Sequence, residues 1–183
     1  MSEEVKKNDA GMGRLAITLG AICAICALLL GVVNMFTEGV IADNQMKEKM
    51  VAMQVVLPAD EYETATYTGS DPTILSAYKA SNGGSVIEVD CNGGSFSGTL
   101  SIMVGVNSDG TVAGVSILTT AETSGLGAKA GDPEFKDQFI GKSGTVTVNK
   151  DGGEINAISG ATITSRAVCA GVTAALTAAA ELG

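Results

Sequence analysis

Histidine is absent from the 183-residue sequence, and so is tryptophan. Because an imidazole is the usual general base of a catalytic dyad or triad, this chain alone cannot build a site of that kind. Positive charge is also scarce: 11 Lys and Arg residues stand against 20 Asp and Glu residues, which gives a net charge of −9. An acidic chain of this kind does not bind nucleic acid through a basic surface.

Cysteine occurs only four times, and its spacing does not predict a metal site. Cys23 and Cys26 form a C-x-x-C pair in an apolar segment, but no second pair or histidine stands at metal-ligand spacing. We interpret the pair as small residues of a packed helix, unless a partner protein adds ligands for a shared cluster. Cys91 and Cys169 lie further along the chain, and the sequence leaves open whether they pair.

The N-terminal part of the sequence contains a long hydrophobic run. Residues 15–37 carry no charge, and as a helix these 23 positions extend about 34 Å, enough to cross a hydrocarbon core of about 30 Å. We predict a transmembrane helix over 15–37, a tail over 1–14 before it and a helical connector over 38–58 after it. A cleaved secretory signal is the rival interpretation, although no clear A-x-A site follows the run.

The cations that flank the hydrophobic run predict its orientation. Arg14 adjoins the run, whereas Lys47 and Lys49 lie about ten residues beyond its far end, so the positive-inside rule places the N-terminal tail in the cytoplasm. Acidic and basic residues cancel within the tail, which leaves the net charge on the segment after the helix. We therefore expect a single-pass protein of the cell inner (cytoplasmic) membrane, with an acidic domain on the extracytoplasmic side.

The rest of the chain predicts one α+β domain over 59–183, an antiparallel sheet with flanking helices. Its predicted strands cover 86–89, 100–106, 111–119 and 145–149. Residues 60–85 are polar and rich in turn signals. Ser108-Asp109-Gly110 indicates a hairpin, and Asp132-Pro133-Glu134 indicates the start of a short helix.

Two sets of side chains in this region are assigned structural roles. A methionine stripe in the connector, with spacings of four and three, predicts packing: Met46, Met50 and Met53. Three aspartates adjoin glycine or asparagine and are interpreted as turn residues rather than metal ligands: Asp90, Asp109 and Asp151.

The stretch NAISGATITS at residues 156–165 precedes an alanine-rich segment, residues 166–182, that we predict as a helix with its N-terminus among Thr162, Thr164 and Ser165. The free N–H groups and the positive dipole end of a helix N-terminus attract an anion. Gly160 and Ala161 allow a ligand to approach the backbone closely. Three hydroxyl side chains can cap the helix or be esterified: Thr162, Thr164 and Ser165. The stretch therefore predicts either a phosphate site or an ordinary Ser/Thr N-cap.

The same stretch resembles the flavinylation motif of the FMN-binding domains in the G subunit of the Rnf electron-transport complex and the C subunit of the sodium-translocating NADH:quinone reductase. In those families a flavin transferase esterifies FMN through its phosphate to the threonine of SGAT, which is Thr162 here. Upstream, ETSGLG at residues 122–127 resembles the families' ETPGLG loop, and FKDQF at residues 135–139 follows as expected. Ser124 and Asn156 stand where the families usually have proline and aspartate.

The resemblance implies a covalent FMN, linked through its phosphate to Thr162, in a site built from both motifs. The implied cofactor-binding residues are Thr162, Ser159, Gly160, Ala161, Thr164, Ser165, Glu122, Thr123, Gly125, Leu126 and Gly127. Leu126 and the loop backbone are expected to flank the isoalloxazine, and Glu122 to organise the site rather than act as an acid. No catalytic residue and no metal ligand is implied, since the flavin itself carries the redox chemistry.

By the same resemblance, the chain is expected to be an electron-carrying subunit of an Rnf-type ferredoxin:NAD⁺ oxidoreductase that translocates Na⁺ or H⁺. The implied partners are the other membrane and iron–sulfur subunits of such a complex, with a flavin transferase for maturation. One alternative is the C subunit of the sodium-translocating NADH:quinone reductase. Others are a membrane-tethered flavin-binding module without ion pumping, and a binding module of the same fold that holds no flavin.

Overall fold

The computed structural model describes residues 2–182, in two compact units, Met1–Lys47 and Glu48–Gly183. The elements are α1 (Ser2–Val56), β1 (Tyr62–Ala65), β2 (Ile74–Ala80), β3 (Ser85–Asp90), β4 (Leu100–Val106), β5 (Val112–Thr120), α2 (Pro133–Lys136) and α3 (Thr162–Leu182). Short 3₁₀ turns cover Asn92–Gly94, Gly127–Gly131, Asp137–Phe139 and Asn149–Asp151. The fold is α+β, as the sequence predicts.

The first unit is the greater part of helix α1. Side chains from Gly13 to Gly39 are exposed, and this span contains the uncharged run 15–37. The most apolar window of the helix has a mean hydropathy of 2.7 and no buried residue. The helix is therefore long and apolar enough to cross a membrane. Helix α3 also meets these criteria of length and composition, but 61% of its apolar window is buried inside the second unit, as in a core helix.

The second unit contains a five-stranded antiparallel sheet in the order β1-β2-β3-β4-β5. The strands predicted over 86–89, 100–106 and 111–119 are confirmed as β3, β4 and β5. The apolar runs of β3 and β4 are buried on both faces of the sheet, whereas β5 lies at its edge and is mostly half-buried. The predicted hairpin is also confirmed. Gly110 takes a φ of 80°, and the Asp109 carboxylate accepts the Thr111 N–H at 3.0 Å, which closes the turn.

Two strands form where the sequence predicts only polar segments and turns. β1 and β2 lie within residues 60–85, and their residues are mostly half-buried or exposed, so no apolar run reveals them. The strand predicted over 145–149 is wrong, because only an isolated bridge from Val148 to Ile155 forms there. The Val146 N–H donates instead to the Thr173 hydroxyl of α3 at 3.0 Å. A side chain therefore accepts the hydrogen bond that a neighbouring strand would otherwise accept.

Helix α3 covers one face of the sheet and buries the larger core against it. Gly171 makes this approach possible, since a Cβ there would lie 2.8 Å from Ile102 Cδ1 on β4. Phe135 and Phe139 close the same core with an edge-to-face contact at 5.4 Å between ring centroids. Pro133 opens α2 at its first turn as predicted, although Asp132 makes no side-chain capping bond.

The last turns of α1 pack on the opposite face of the sheet. Met53 and Val56 are buried in this smaller core, whereas Met46 and Met50 are more than half exposed, so packing of the whole methionine stripe is not observed. Glu88 of β3 is also buried on this face. Lys49 donates a hydrogen bond to its carboxylate at 2.8 Å, which pairs the charge.

Candidate functional site

Helix α3 begins at Thr162, within the stretch where the sequence predicts its N-terminus. Gly160 turns the chain into the helix with a φ of 78°, in the left-handed region that favours glycine. The first bond between the motif and the helix runs from the Ser165 N–H to the Ala161 carbonyl at 3.0 Å. The N–H groups of residues 162–164 therefore precede the helical bonding pattern and give this end its affinity for anions.

The three candidate hydroxyls have different surroundings. Thr162 is half-buried, and its Oγ1 accepts a hydrogen bond from Lys150 Nζ at 2.8 Å. Thr164 is buried and donates to Glu122 Oε2 at 3.0 Å. Ser165 is fully buried, donates to the Ala161 carbonyl at 2.9 Å and accepts the Ile158 N–H at 2.9 Å. Of the three, Thr162 is the hydroxyl that a reagent from outside can reach.

Glu122 ties the glycine-rich loop to two other segments. Its side chain is buried, and Oε1 accepts the N–H groups of Phe96 and Ser97 at 3.0 and 3.1 Å and the Ser97 hydroxyl at 3.2 Å. Oε2 accepts the Thr164 hydroxyl. A carboxylate that accepts four donors is held as a fixed acceptor, so the geometry fits an organising role.

The glycine-rich loop curls over this carboxylate. The Thr123 carbonyl accepts the N–H groups of Leu126 and Ala128 at 3.1 and 3.2 Å, and Gly125 takes a φ of 77° with open space around it. Gly127 is buried, and a Cβ there would lie 2.8 Å from Thr164 Oγ1. The two glycines thus serve different needs, a left-handed turn at Gly125 and close packing at Gly127.

A cavity of about 430 Å³ lies between the loop and the start of α3. Its lining residues are Phe96, Glu122, Thr123, Leu126, Gly127, Lys150, Gly160, Ala161, Thr162, Ile163 and Thr164. Most of the sequence-predicted site residues meet here. Gly125 and Ser165 do not line the cavity, and Ser159 lines a separate one beside α2.

Three lining residues were not predicted from the sequence. Phe96 and Ile163 are at least half exposed at the cavity, and together with Leu126 they give it an apolar rim. Lys150 supplies a cation beside the acceptor hydroxyl. A lysine twelve residues before the threonine of SGAT, in a chain poor in cations, is the one signal that sequence reasoning overlooked.

Asp151 does more than form a turn. Its carboxylate accepts two hydrogen bonds of 2.6 Å, from Arg166 Nε and Arg166 Nη2 of α3. The guanidinium lowers the pKa of Asp151, and the carboxylate in turn raises the pKa of Arg166. Asp90 and Asp109 accept backbone N–H groups two residues further on, which confirms them as turn residues.

Asn156, at the start of the stretch NAISGATITS, is held by hydrogen bonds. The Asn156 N–H donates to Gln138 at 2.8 Å, and its side-chain oxygen accepts a hydrogen bond from Asn149 at 3.1 Å.

Cys91 and Cys169 are free thiols in the core, where burial raises the pKa of each to about 12. Among the side chains that the structure describes, those of residues 13–39, 41 and 43–182, no cluster of three or more Cys, Asp or Glu residues has the geometry to hold a metal ion.

Two protein families match the chain in its two parts. The FMN-binding domain family matches residues 95–177, and the RnfG N-terminal region family matches residues 1–56. The G subunit of the Na(+)-translocating ferredoxin:NAD(+) oxidoreductase complex of Acetobacterium woodii is 32% identical, over 93% of this chain and 92% of its own length. The G subunit of the proton-translocating ferredoxin:NAD(+) oxidoreductase complex of Clostridium ljungdahlii is 33% identical, over 91% and 90%.

One solved structure is also similar. It is the C subunit of the Na(+)-translocating NADH-quinone reductase from Parabacteroides distasonis, with 23% identity over 60% of this chain and 61% of its own, and a TM-score of 0.40.

Proposed function

The chain belongs to the G-subunit family of Rnf-type ion-translocating oxidoreductase complexes, and on that premise we propose that it is the complex's membrane-bound FMN carrier. The FMN-binding domain match and the lengthwise similarity to G subunits support a flavin-binding redox subunit. The finer proposal is that FMN is esterified through its phosphate to Thr162. The observation that carries it is the position of this hydroxyl, at the first residue of α3 and in the wall of the cavity.

The residues of the cavity fit the two ends of FMN. At one end, the N–H groups at the start of α3, the helix dipole and the Lys150 ammonium favour a phosphate. At the other, the exposed faces of Phe96, Leu126 and Ile163 offer apolar surface to an aromatic ring. When bound, the isoalloxazine supplies one- or two-electron transfer.

The protein's part in this function is to attach, orient and retain the cofactor. Glu122 fixes the loop of Phe96 and the first turn of α3 through one carboxylate, so the apolar and phosphate ends keep a constant separation. Within residues 2–182 the Thr162 hydroxyl has a cation beside it, and the sequence holds no histidine to remove its proton. An unactivated threonine is a poor nucleophile, so attachment requires a separate flavin transferase.

The proposed topology follows the apolar helix. Residues 15–37 cross the membrane, the tail over 1–14 is cytoplasmic, and the domain over 59–183 is on the extracytoplasmic side. The connector over 38–58 includes the turns of α1 that pack on the sheet. In this arrangement the FMN relays electrons among the other membrane and iron–sulfur subunits of the complex. Its G-subunit relatives are named for Na⁺ or for protons at nearly equal identity, so the proposal covers either coupling ion.

The alternative of a quinone-reductase C subunit is less well supported, because relatives matched over nine-tenths of their length are G subunits. A flavin-binding module without ion pumping would keep the anchor and the cavity but would purify alone. Purification of the tagged chain from its native membrane distinguishes these alternatives, since our proposal expects membrane and iron–sulfur subunits to co-purify with it.

The attachment is tested by co-expressing the chain with a flavin transferase and examining a denaturing gel for flavin fluorescence. Wild type is expected to fluoresce and Thr162→Val to be dark, while the fold is retained. Thr164→Val is the matched control, because that hydroxyl is buried against Glu122. Peptide mass spectrometry that places the flavin on Thr164 or Ser165, or finds none in wild type, would contradict the proposal.

A further inference from the structure

Lys150 stands beside the proposed acceptor without being part of its motif. It is twelve residues before Thr162, and its ammonium donates a 2.8 Å hydrogen bond to Thr162 Oγ1. Both side chains line the same cavity as Gly160 and Ala161. A donor on the hydroxyl oxygen leaves the O–H proton free to be given to another base, and stabilises negative charge that develops on the oxygen.

The turn that carries Lys150 is fastened to α3 at a second point. Asp151, the next residue, forms its two 2.6 Å hydrogen bonds with Arg166. Arg166 follows Thr162 by four residues on α3, so the two lie on the same side of the helix. Adjacent residues of the turn Asn149–Asp151 therefore contact adjacent turns of one helix face. This double contact limits the freedom that a lysine on an exposed turn would otherwise have.

We propose that Lys150 is a positioning residue for flavin attachment, held in place by the Asp151–Arg166 pair. This inference rests on the proposed function, since it assigns a residue to the attachment at Thr162. Before attachment Lys150 fixes the direction of the acceptor oxygen. After attachment it lies beside the phosphodiester anion, where the start of α3 already favours negative charge.

The step it assists balances without redox change. Thr162 Oγ1 attacks the flavin-side phosphorus of a flavin dinucleotide, a phosphoanhydride. The new O–P bond forms as the anhydride P–O bond breaks, and a nucleoside monophosphate leaves with the electron pair. The hydroxyl proton passes to a base of the transferase. Lys150 keeps its own protons throughout and acts by orientation and charge.

The test measures the initial rate of flavin attachment to the full-length chain in detergent. The probes are a purified flavin transferase and flavin adenine dinucleotide, with in-gel fluorescence as the readout. Lys150→Met is expected to slow attachment about tenfold or more, which is the rate change expected when a hydrogen bond to a charged group is lost. Lys150→Arg should recover most of the rate, because it keeps the charge. The matched control is Lys79→Met, which removes one lysine from β2, outside the cavity, and should attach at the wild-type rate.

Added salt supplies a readout that a purely structural role would not change. The wild-type rate should fall as NaCl rises, and the rate of Lys150→Met should fall less steeply, because its charge contact is already gone. The inference would be overturned if Lys150→Met attached flavin at the wild-type rate. It would also be overturned if Lys150→Arg attached flavin as slowly as Lys150→Met. No flavin on wild type would overturn the proposed function instead, so the two failures are distinguishable.

Discussion

Thr164 and Glu122, 42 residues apart in the chain, are joined by a buried hydrogen bond of 3.0 Å from the threonine hydroxyl to Oε2. The bond connects the first turn of α3 to the loop that follows β5. Because Glu122 also accepts donors from Phe96 and Ser97, the three segments around the cavity share one carboxylate.

The first prediction concerns this bond. Thr164→Val keeps the shape of the side chain but leaves Glu122 with one donor fewer, so it should lower the free energy of unfolding by about 1–3 kcal/mol. Flavin attachment at Thr162 should persist. Urea unfolding measures the first effect and in-gel fluorescence the second. Thr177→Val is the control, since that exposed threonine on α3 bonds only to the Thr173 carbonyl of its own helix. Equal stabilities of the two variants would contradict the prediction.

The second prediction concerns the glycine-rich loop, where valine at Gly125 and valine at Gly127 should disturb the protein for different reasons. Gly127→Val places side-chain atoms against Glu122 and Thr164, so it should disturb the loop and shift the flavin absorbance spectrum while attachment at Thr162 continues. Gly125→Val meets open space but must adopt a φ near 77°, so its cost is backbone strain of about 1–2 kcal/mol.

Spectra and unfolding curves of the two purified variants separate these effects. Gly125→Asn is a suitable control, because asparagine tolerates the left-handed region better than valine. An unchanged spectrum and normal electron transfer in a folded Gly127→Val would remove the loop from the flavin site.

Sequence reasoning succeeded where one segment carried its own signal. Long β-branched runs identified β3 to β5, and the alanine-rich run identified α3, which begins at Thr162 within the predicted stretch. Most residues that line the cavity belong to the SGAT and ETSGLG regions, so the two motifs predicted most of the site from the sequence. β1 and β2 were missed because short, half-exposed strands have no apolar run.

Contacts between distant segments could not be predicted in this way. Phe96 carries no local sign of its role, and the scarcity of cations marks Lys150 only as a candidate, since each role depends on how a turn or loop folds back on α3 or Glu122. The wrong strand at 145–149 has the same origin. Its β-branched residues are buried singly, and Thr173 on α3 replaces the missing strand neighbour.

The ion pair of Asp151 and Arg166 predicts a specific pH dependence. Because Arg166 depresses the folded-state pKa of Asp151 below its ordinary value of 3.8, the pair stabilises the fold above that value. The contribution is lost as pH falls through the depressed pKa. Wild type should therefore melt slightly above Asp151→Asn at pH 7, and the difference should begin to shrink near pH 3.8 and vanish below the depressed pKa of Asp151. Arg166→Gln should follow the same course. A difference that persists in acid would contradict the ion-pair explanation.

The buried cysteines give a prediction about reactivity. With pKa values near 12 and little exposed surface, Cys91 and Cys169 should resist iodoacetamide at pH 8 in the folded protein. Denaturation without reductant should then allow all four thiols to be alkylated, since the structure holds each as a free cysteine. Mass spectrometry counts the added groups. A peptide linking Cys91 to Cys169 would show instead that the two are oxidised in the cell.

The last prediction concerns the anchor and its orientation. Residues 15–37 form an uncharged run long enough to cross a hydrocarbon core, and no clear A-x-A site follows it, so we expect residues 15–37 to remain in the mature protein. Arg14 favours a cytoplasmic tail. A membrane-impermeant maleimide should therefore label Ser143→Cys, an exposed site on the domain, once the outer barrier of the cells is opened. Ser2→Cys should react only after lysis of the inner membrane, and the wild-type thiols provide the blank. Labelling in the reverse order would invert the topology, and a mature N-terminus near residue 38 would show that the helix is a cleaved signal.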